Sequence, residues 1–189
     1  MSGTAELHRA TLTPTKAELL AEWLPRQPWF SSDGGDLELL DAFRFTDPDG
    51  EVGIETHLVR AGGVIHHVPV TYRGAPLEGA EEWLIGTMDH SALGQRWVYD
   101  ATGDPVYQVE LMRVIREGDT QAALRVGDEP LPDKATALGS WVDPTAESSG
   151  VVRIARNIDD FSTARARGLL TVTFTVDGEQ RDAVVAVLR

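Results

Sequence analysis

Between His90 and Arg116 the chain reads H-S-A-L-G-Q-R-W-V-Y-D-A-T-G-D-P-V-Y-Q-V-E-L-M-R-V-I-R, and this stretch constrains the fold more than any other. Asp104 is a good N-cap and Pro105 a good first helical residue: the one accepts an orphan N–H, the other has none to orphan. Tyr107, Leu111 and Ile115 follow at i, i+4 and i+8 with Met112 beside them, and Gly118 can take a left-handed stop. The spacing predicts a helix over 105–116 that lays its stripe across a sheet. Just upstream, 96–100 is a short extended piece that must pack Trp97 and Tyr99. Before this stretch the chain reads as one helix feeding a meander of strands. After it come more strands.

The first helix is expected over 15–24. Thr15 and Glu18 have capping-box spacing, Leu19, Leu20, Trp23 and Leu24 share a face, and Pro25 ends the run. In W-L-P-R-Q-P-W-F, residues Trp23, Trp29 and Phe30 surround a rigid bend. They read as a hydrophobic plug on the end of a sheet, or alternatively as exposed rings for stacking a ligand. A Gly-rich turn at 31–36 leads to a strand over 37–46, and D-P-D-G at 47–50 is a turn because Pro sets φ and Gly accepts a positive one. Strands over 52–60 and 64–73 flank Gly62-Gly63. A two-residue turn there pairs 60 with 65 and parts Ile54 and Leu58 from Val68, Val70 and Tyr72. A one-residue slip, pairing 60 with 66, gathers all of them with Val52 on one face. The slipped register is expected.

Further strands are expected over 82–88, 121–126, 137–142, 151–157 and 169–176, and over 183–188 after the Asp177-Gly178 hairpin. Residues 127–134 and 143–150 read as polar loops, and 10–12 as a short strand in a ragged lead-in. Two helices and about eight or nine strands make an α+β fold with a curved, mostly antiparallel sheet. A single domain over 1–189 is expected, long enough to bury roughly 70% of the surface its unfolded form exposes.

Composition excludes several functions. The 17 basic residues against 30 acidic ones give −13, a field that repels phosphate backbones and anionic lipid, so no nucleic acid or membrane surface is expected as partner. There is no cysteine, hence no disulfide, thiolate metal site or Cys nucleophile, and the N-terminus does not read as a signal peptide. A cytoplasmic location is expected. The sequence contains no G-x-x-x-x-G-K-[ST], G-x-G-x-x-G, H-R-D, D-F-G, G-x-S-x-G or H-E-x-x-H. Asp89-His90-Ser91 holds triad residue types, but contiguous side chains do not converge as a triad must. No catalytic residue, metal site or cofactor is assigned.

Candidates for ligand binding remain. In the slipped register Glu55, His57, His67 and Arg73 share the second sheet face, with the two histidines as diagonal neighbours. Two His and a carboxylate are a ligand set for a metal, although a polar solvated face explains them as well. His66 and His67, adjacent on a strand, point to opposite faces. Arg96 and Trp97 could form a cation–π or sugar-stacking platform, against which stand ordinary packing and an ion pair. Asp100 and Asp104 flank a Gly turn, where local capping accounts for them.

At W-L-P-R-Q-P-W-F, and again at W-V-Y-D-A-T-G-D-P-V-Y-Q-V-E-L, the chain resembles the N-terminal cap domain of the bacterial maltokinases. Trp23, Leu24, Pro25, Gln27, Trp29 and Phe30 match the family's Trp-Leu-Pro-x-Gln-Arg-Trp-Phe bend. Tyr99, Asp100, Ala101, Asp104 and Pro105 match its helix-starting Tyr-Asp-Ala-x-x-Asp-Pro. Pro28 departs from the usual Arg and removes a side chain that could bridge to a partner. The resemblance is firm over 14–117, with 1–13 as lead-in and 118–189 as additional strands. It implies a cystatin-like sheet topology and a stand-alone relative without the kinase lobes that hold the family's catalytic residues. It further implies a non-catalytic interaction or regulatory module near α-glucan, trehalose and maltose metabolism. A protein partner or a homo-oligomer is expected, or a small sugar or nucleotide ligand on the concave sheet face.

Overall fold

The capping box forms as its spacing requires: Thr15 Oγ1 accepts from Glu18 N, and Glu18 Oε2 accepts from Thr15 N at 2.8 Å. It starts α1 (Lys16–Trp23), which tightens into a 3-10 turn at Leu24–Arg26 where Pro25 removes a donor. In this computed structural model, which describes residues 2–32, 34, 36–142 and 150–189, a lead-in with β1 (Thr4–Glu6) and β2 (Leu12–Thr13) precedes that helix. Behind it come β3 (Leu37–Thr46), β4 (Gly53–Ala61), β5 (Val64–Arg73), β6 (Leu84–His90) and β7 (Gly94–Asp100). Then follow α2 (Pro105–Glu117), β8 (Ala123–Val126), β9 (Glu129–Leu131) and β10 (Thr136–Trp141). The chain closes with β11 (Val152–Ile154), β12 (Gly168–Val176) and β13 (Glu179–Leu188).

Among the described residues the result is α+β, with two α-helices and a strongly curled antiparallel sheet ordered β2-β6-β7-β5-β4-β3. A four-stranded sheet, β10-β12-β13-β11, covers part of it, and β1-β8-β9 is a small third sheet. More strands form than the about eight or nine expected from the sequence pattern. The lead-in adds β1 as a parallel partner of β8, and the loop expected over 127–134 contains β9. Trp83 sits in a 3-10 turn, so the strand expected from 82 begins at Leu84. The loop expected over 143–150 lies, but for Gly150, outside the described residues, as do positions 33 and 35 of the turn over 31–36.

The slipped register is not adopted. Arg60 pairs with Ile65 and Ala61 with Val64, leaving a two-residue Gly62-Gly63 turn with Gly62 at φ 61°. The physical reason is that both faces of the β4–β5 hairpin are buried, so no single face has to collect every apolar residue. Ile54, Leu58 and Ile65 face α2 and the four-stranded sheet, in one cluster with Phe43, Phe45, Tyr107, Leu111, Leu170 and Phe174. Val59, Val68 and Val70 face α1, in a second cluster with Leu19, Leu20, Trp23, Leu24, Met88 and Val98. A bulge at Leu40 reverses the alternation of β3, which sends Leu39 to the α1 side and Phe43 to the α2 side.

Two devices join the layers. Gly86 lets α1 lie close to β6, since a Cβ there would stand 2.8 Å from Leu19 Cδ2. Residues 155–158 run beside the start of β5, with His67 N donating to Arg156 O at 3.0 Å and Ile158 N to Ile65 O at 3.1 Å. They occupy the edge that β7, pairing only with Val70–Arg73, leaves open. This suture carries Arg156 to the end of α1.

Candidate functional site

The expected ligand set does not assemble. With the two-residue turn, Glu55 and His57 face α1 while His67 and Arg73 face α2, so the four never share a face. Glu55 is 6% exposed and closed in by Lys16 Nζ at 2.6 Å, Arg44 Nη2 at 3.1 Å, the Tyr72 hydroxyl at 2.8 Å and His57 Nε2 at 3.3 Å. Burial pushes its carboxyl up, but Arg44, His57 and Lys16 outweigh that and hold it well below the usual range. A carboxylate so enclosed is a structural anchor between α1 and the sheet. Among the described residues no group of three or more His, Asp or Glu is placed to hold a metal.

His67 is fully buried and donates from Nδ1 to Ala155 O at 3.1 Å. Burial drives its pKa down from 6.5 to about 3, with Arg156 adding to the shift. A histidine held neutral in the fold but free to charge when unfolded stabilises above about pH 6.5 and loses that contribution as pH falls toward 3. His67→Gln should therefore cost about 1–2 kcal/mol at pH 7.5 through packing and the bond to Ala155, and less at pH 5. Urea unfolding at the two pH values checks this; a gap independent of pH would contradict it.

Arg96 and Trp97 form no platform. Arg96 Nη2 is spent on Leu93 O at 2.5 Å, and Trp97 lies half-buried on the sheet face opposite Val98. The cation–π contact is made elsewhere: the Arg156 guanidinium sits 4.3 Å from the centroid of Trp29. Asp104 caps α2 through Val106 N and takes a two-pronged ion pair from Arg73. Asp100 caps the 3-10 turn Ala101–Gly103 through Thr102 N.

Trp29 and Arg156 stand at a cleft of about 680 Å³, a size usual for small-molecule sites. The end of α1 supplies Trp23 and the bend after it Gln27, Pro28 and Trp29, while the turn before β6 supplies Glu82 and Trp83, and the end of β7 with the turn after it Asp100 and Thr102. Facing them, α2 contributes Gln108, Leu111 and Met112, and the strand β11 region contributes Val151, Val152, Ile154 and Arg156. Each wall is held in place. Trp23 and Trp29 meet edge-on at 5.7 Å, and His66 lies between Ser31 O at 2.8 Å and Arg156 O at 3.2 Å. Phe30 stacks on the His66 ring at 4.8 Å, so it serves the wall and not the cleft. Gly103 lies against Trp83, where any Cβ would come within 2.1 Å of the indole.

Across the cleft floor Arg156 Nη2 reaches Asp100 Oδ2 at 2.5 Å and Thr102 Oγ1 at 2.9 Å, while its buried Nη1 has no partner among the described residues. Of the residues expected to be structural, Trp23, Gln27, Trp29 and Asp100 line this cleft; Pro25, Tyr99, Asp104 and Pro105 set the turns around it. Trp83, Gln108 and Arg156 carry no local signature, and only their distant meeting defines the site.

No curated protein matches the chain. Residues 23–104, from the bend to the cap of α2, match the family model of the maltokinase N-terminal cap domain.

Proposed function

We propose that these 189 residues act as a non-catalytic, cap-like module that works by binding an enzyme of α-glucan, trehalose and maltose metabolism, in the first place a maltokinase-type kinase. The family match over 23–104 carries this reading. It is supported by chemistry: the sequence has no nucleotide cradle or kinase catalytic loop, and Glu55, Asp100 and Asp104 are each engaged in an ion pair. Such groups hold a shape; they are not poised for proton transfer. No helix among the described residues is long and apolar enough to cross a membrane, and a cytoplasmic setting fits the reading. A second copy of the chain is the other partner to test.

The purified chain with maltose, ATP and Mg²⁺ should transfer no phosphate. Added to a purified maltokinase whose own cap has been deleted, it should change that enzyme's kcat or KM. Phosphorylation of maltose by the chain alone would overturn the reading. So would an unaltered kinase at about 100 µM chain, a hundredfold over a micromolar Kd. A second reading, a binding protein for a small sugar or nucleotide, is favoured by one observation, the cleft between α1, α2 and β11.

A further inference from the structure

We infer that this cleft is a binding site for a short neutral saccharide. The site stands apart from the docking reading, since its two walls need no partner protein to be complete. Its chemistry narrows the ligand in three steps. The first is stacking surface. Trp29 and Trp83 are both half-exposed and both line the cleft, Trp29 backed by Arg156 and Trp83 by the Gly103 backbone. Rigid indoles offer flat apolar area at little entropic cost, which suits the C–H faces of a sugar ring.

The second is hydrogen bonding. Gln27 donates from Nε2 to Trp23 O at 3.3 Å and Gln108 from Nε2 to Thr102 O at 2.7 Å. Both amides are thereby oriented, and neither Oε1 has a hydrogen-bond partner among the described residues. Oriented acceptors beside apolar faces match hydroxyl groups, each of which has one hydrogen bond to give.

The third is charge. Arg156 is neutralised by Asp100, and the exposed carboxylate of Glu82 also lines the cleft. The site therefore carries no net positive charge, within a chain of −13. A phosphate would find no cation free to meet it, which disfavours nucleotides and sugar phosphates. A neutral polyol meets no such barrier.

The test is calorimetric titration of the purified protein with maltotriose, cellotriose and ATP, with tryptophan emission followed in parallel. At least one trisaccharide should bind with Kd at or below about 1 mM and shift the emission, while ATP should not bind. Trp83→Ala and, separately, Gln108→Ala should each weaken binding about tenfold. Gln108 is exposed on α2, so its variant folds and keeps the test decisive should Trp83→Ala not. Heat from neither trisaccharide at about ten times that concentration would overturn the proposal. Binding of ATP in preference, or saccharide binding unchanged in Gln108→Ala and in folded Trp83→Ala, would overturn it too. Saccharide binding with an unresponsive kinase would refute the docking reading and leave this one standing.

Discussion

Asp104→Ala is expected to remove about 4 kcal/mol of stability. Asp104 has no exposed surface and serves three partners at once. It caps α2 at Val106 N, accepts from Thr71 Oγ1 at 2.8 Å and pairs with Arg73 Nε and Nη2, each at 2.7 Å. Loss of the cap alone costs about 1 kcal/mol. Stranding a partly buried Arg73 opposite no charge costs about 3–5 kcal/mol, so the ion pair dominates. At this chain length the melting temperature should fall by roughly 8–16 °C. Asp104→Asn retains a cap and a hydrogen-bond acceptor and should lie between the two. Burial opposes ionisation of Asp104, but Arg73 and Thr71 prevail and lower its pKa below 3.8, so its contribution is present above that value and fades as pH falls below it. Thermal melts of the three proteins at pH 7 and pH 3 check this, the gap between parent and Ala variant narrowing at the lower pH; a loss under 1 kcal/mol for the Ala variant at pH 7 would contradict it.

Gly139→Ala should be nearly as damaging, for a steric reason. β10 passes so close to the end of α2 that a Cβ on Gly139 would lie 1.9 Å from Val114 O, 2.6 Å from its carbonyl carbon and 2.9 Å from Ile115 Cα. These are backbone atoms, with no flexible side chain to yield. The same glycine donates its N–H to Asp119 O at 2.8 Å, which fixes the strand against the helix terminus. Overpacking typically costs about 1–3 kcal/mol, and here the top of that range or more is expected. Val114 and Ile115 are fully buried in the larger cluster, so a displaced strand opens the core beneath it. In urea the midpoint should fall with the slope unchanged; a midpoint like that of the parent would contradict the packing described here.

Local chemistry made much of this fold readable. Asp104, Pro105 and Gly118 bracket α2 as expected, Thr15 and Glu18 open α1, and Asp177-Gly178 turns the β12–β13 hairpin with φ at 51° and 82°. Each of these signals is satisfied within a few residues. What failed needed knowledge of the other side of a sheet. The slipped β4–β5 register follows from one buried face, yet α1 covers Val68 and Val70 while the second sheet covers Ile54 and Leu58. The Leu40 bulge is invisible to a two-residue period. For the cleft, half was legible: Trp23, Gln27 and Trp29 stood out in the bend, with ligand stacking as one of two readings. Arg156 could not be placed, because only the pairing of 155–158 with the start of β5 brings it to Trp29.

The most direct test of the functional account is sedimentation velocity of this chain mixed with purified maltokinase lobes whose own cap has been removed. The account predicts a one-to-one complex with a micromolar or tighter Kd, formed without change in the chain's own fold. Two species sedimenting independently at about 100 µM each, or a chain that associates only with itself, would contradict it.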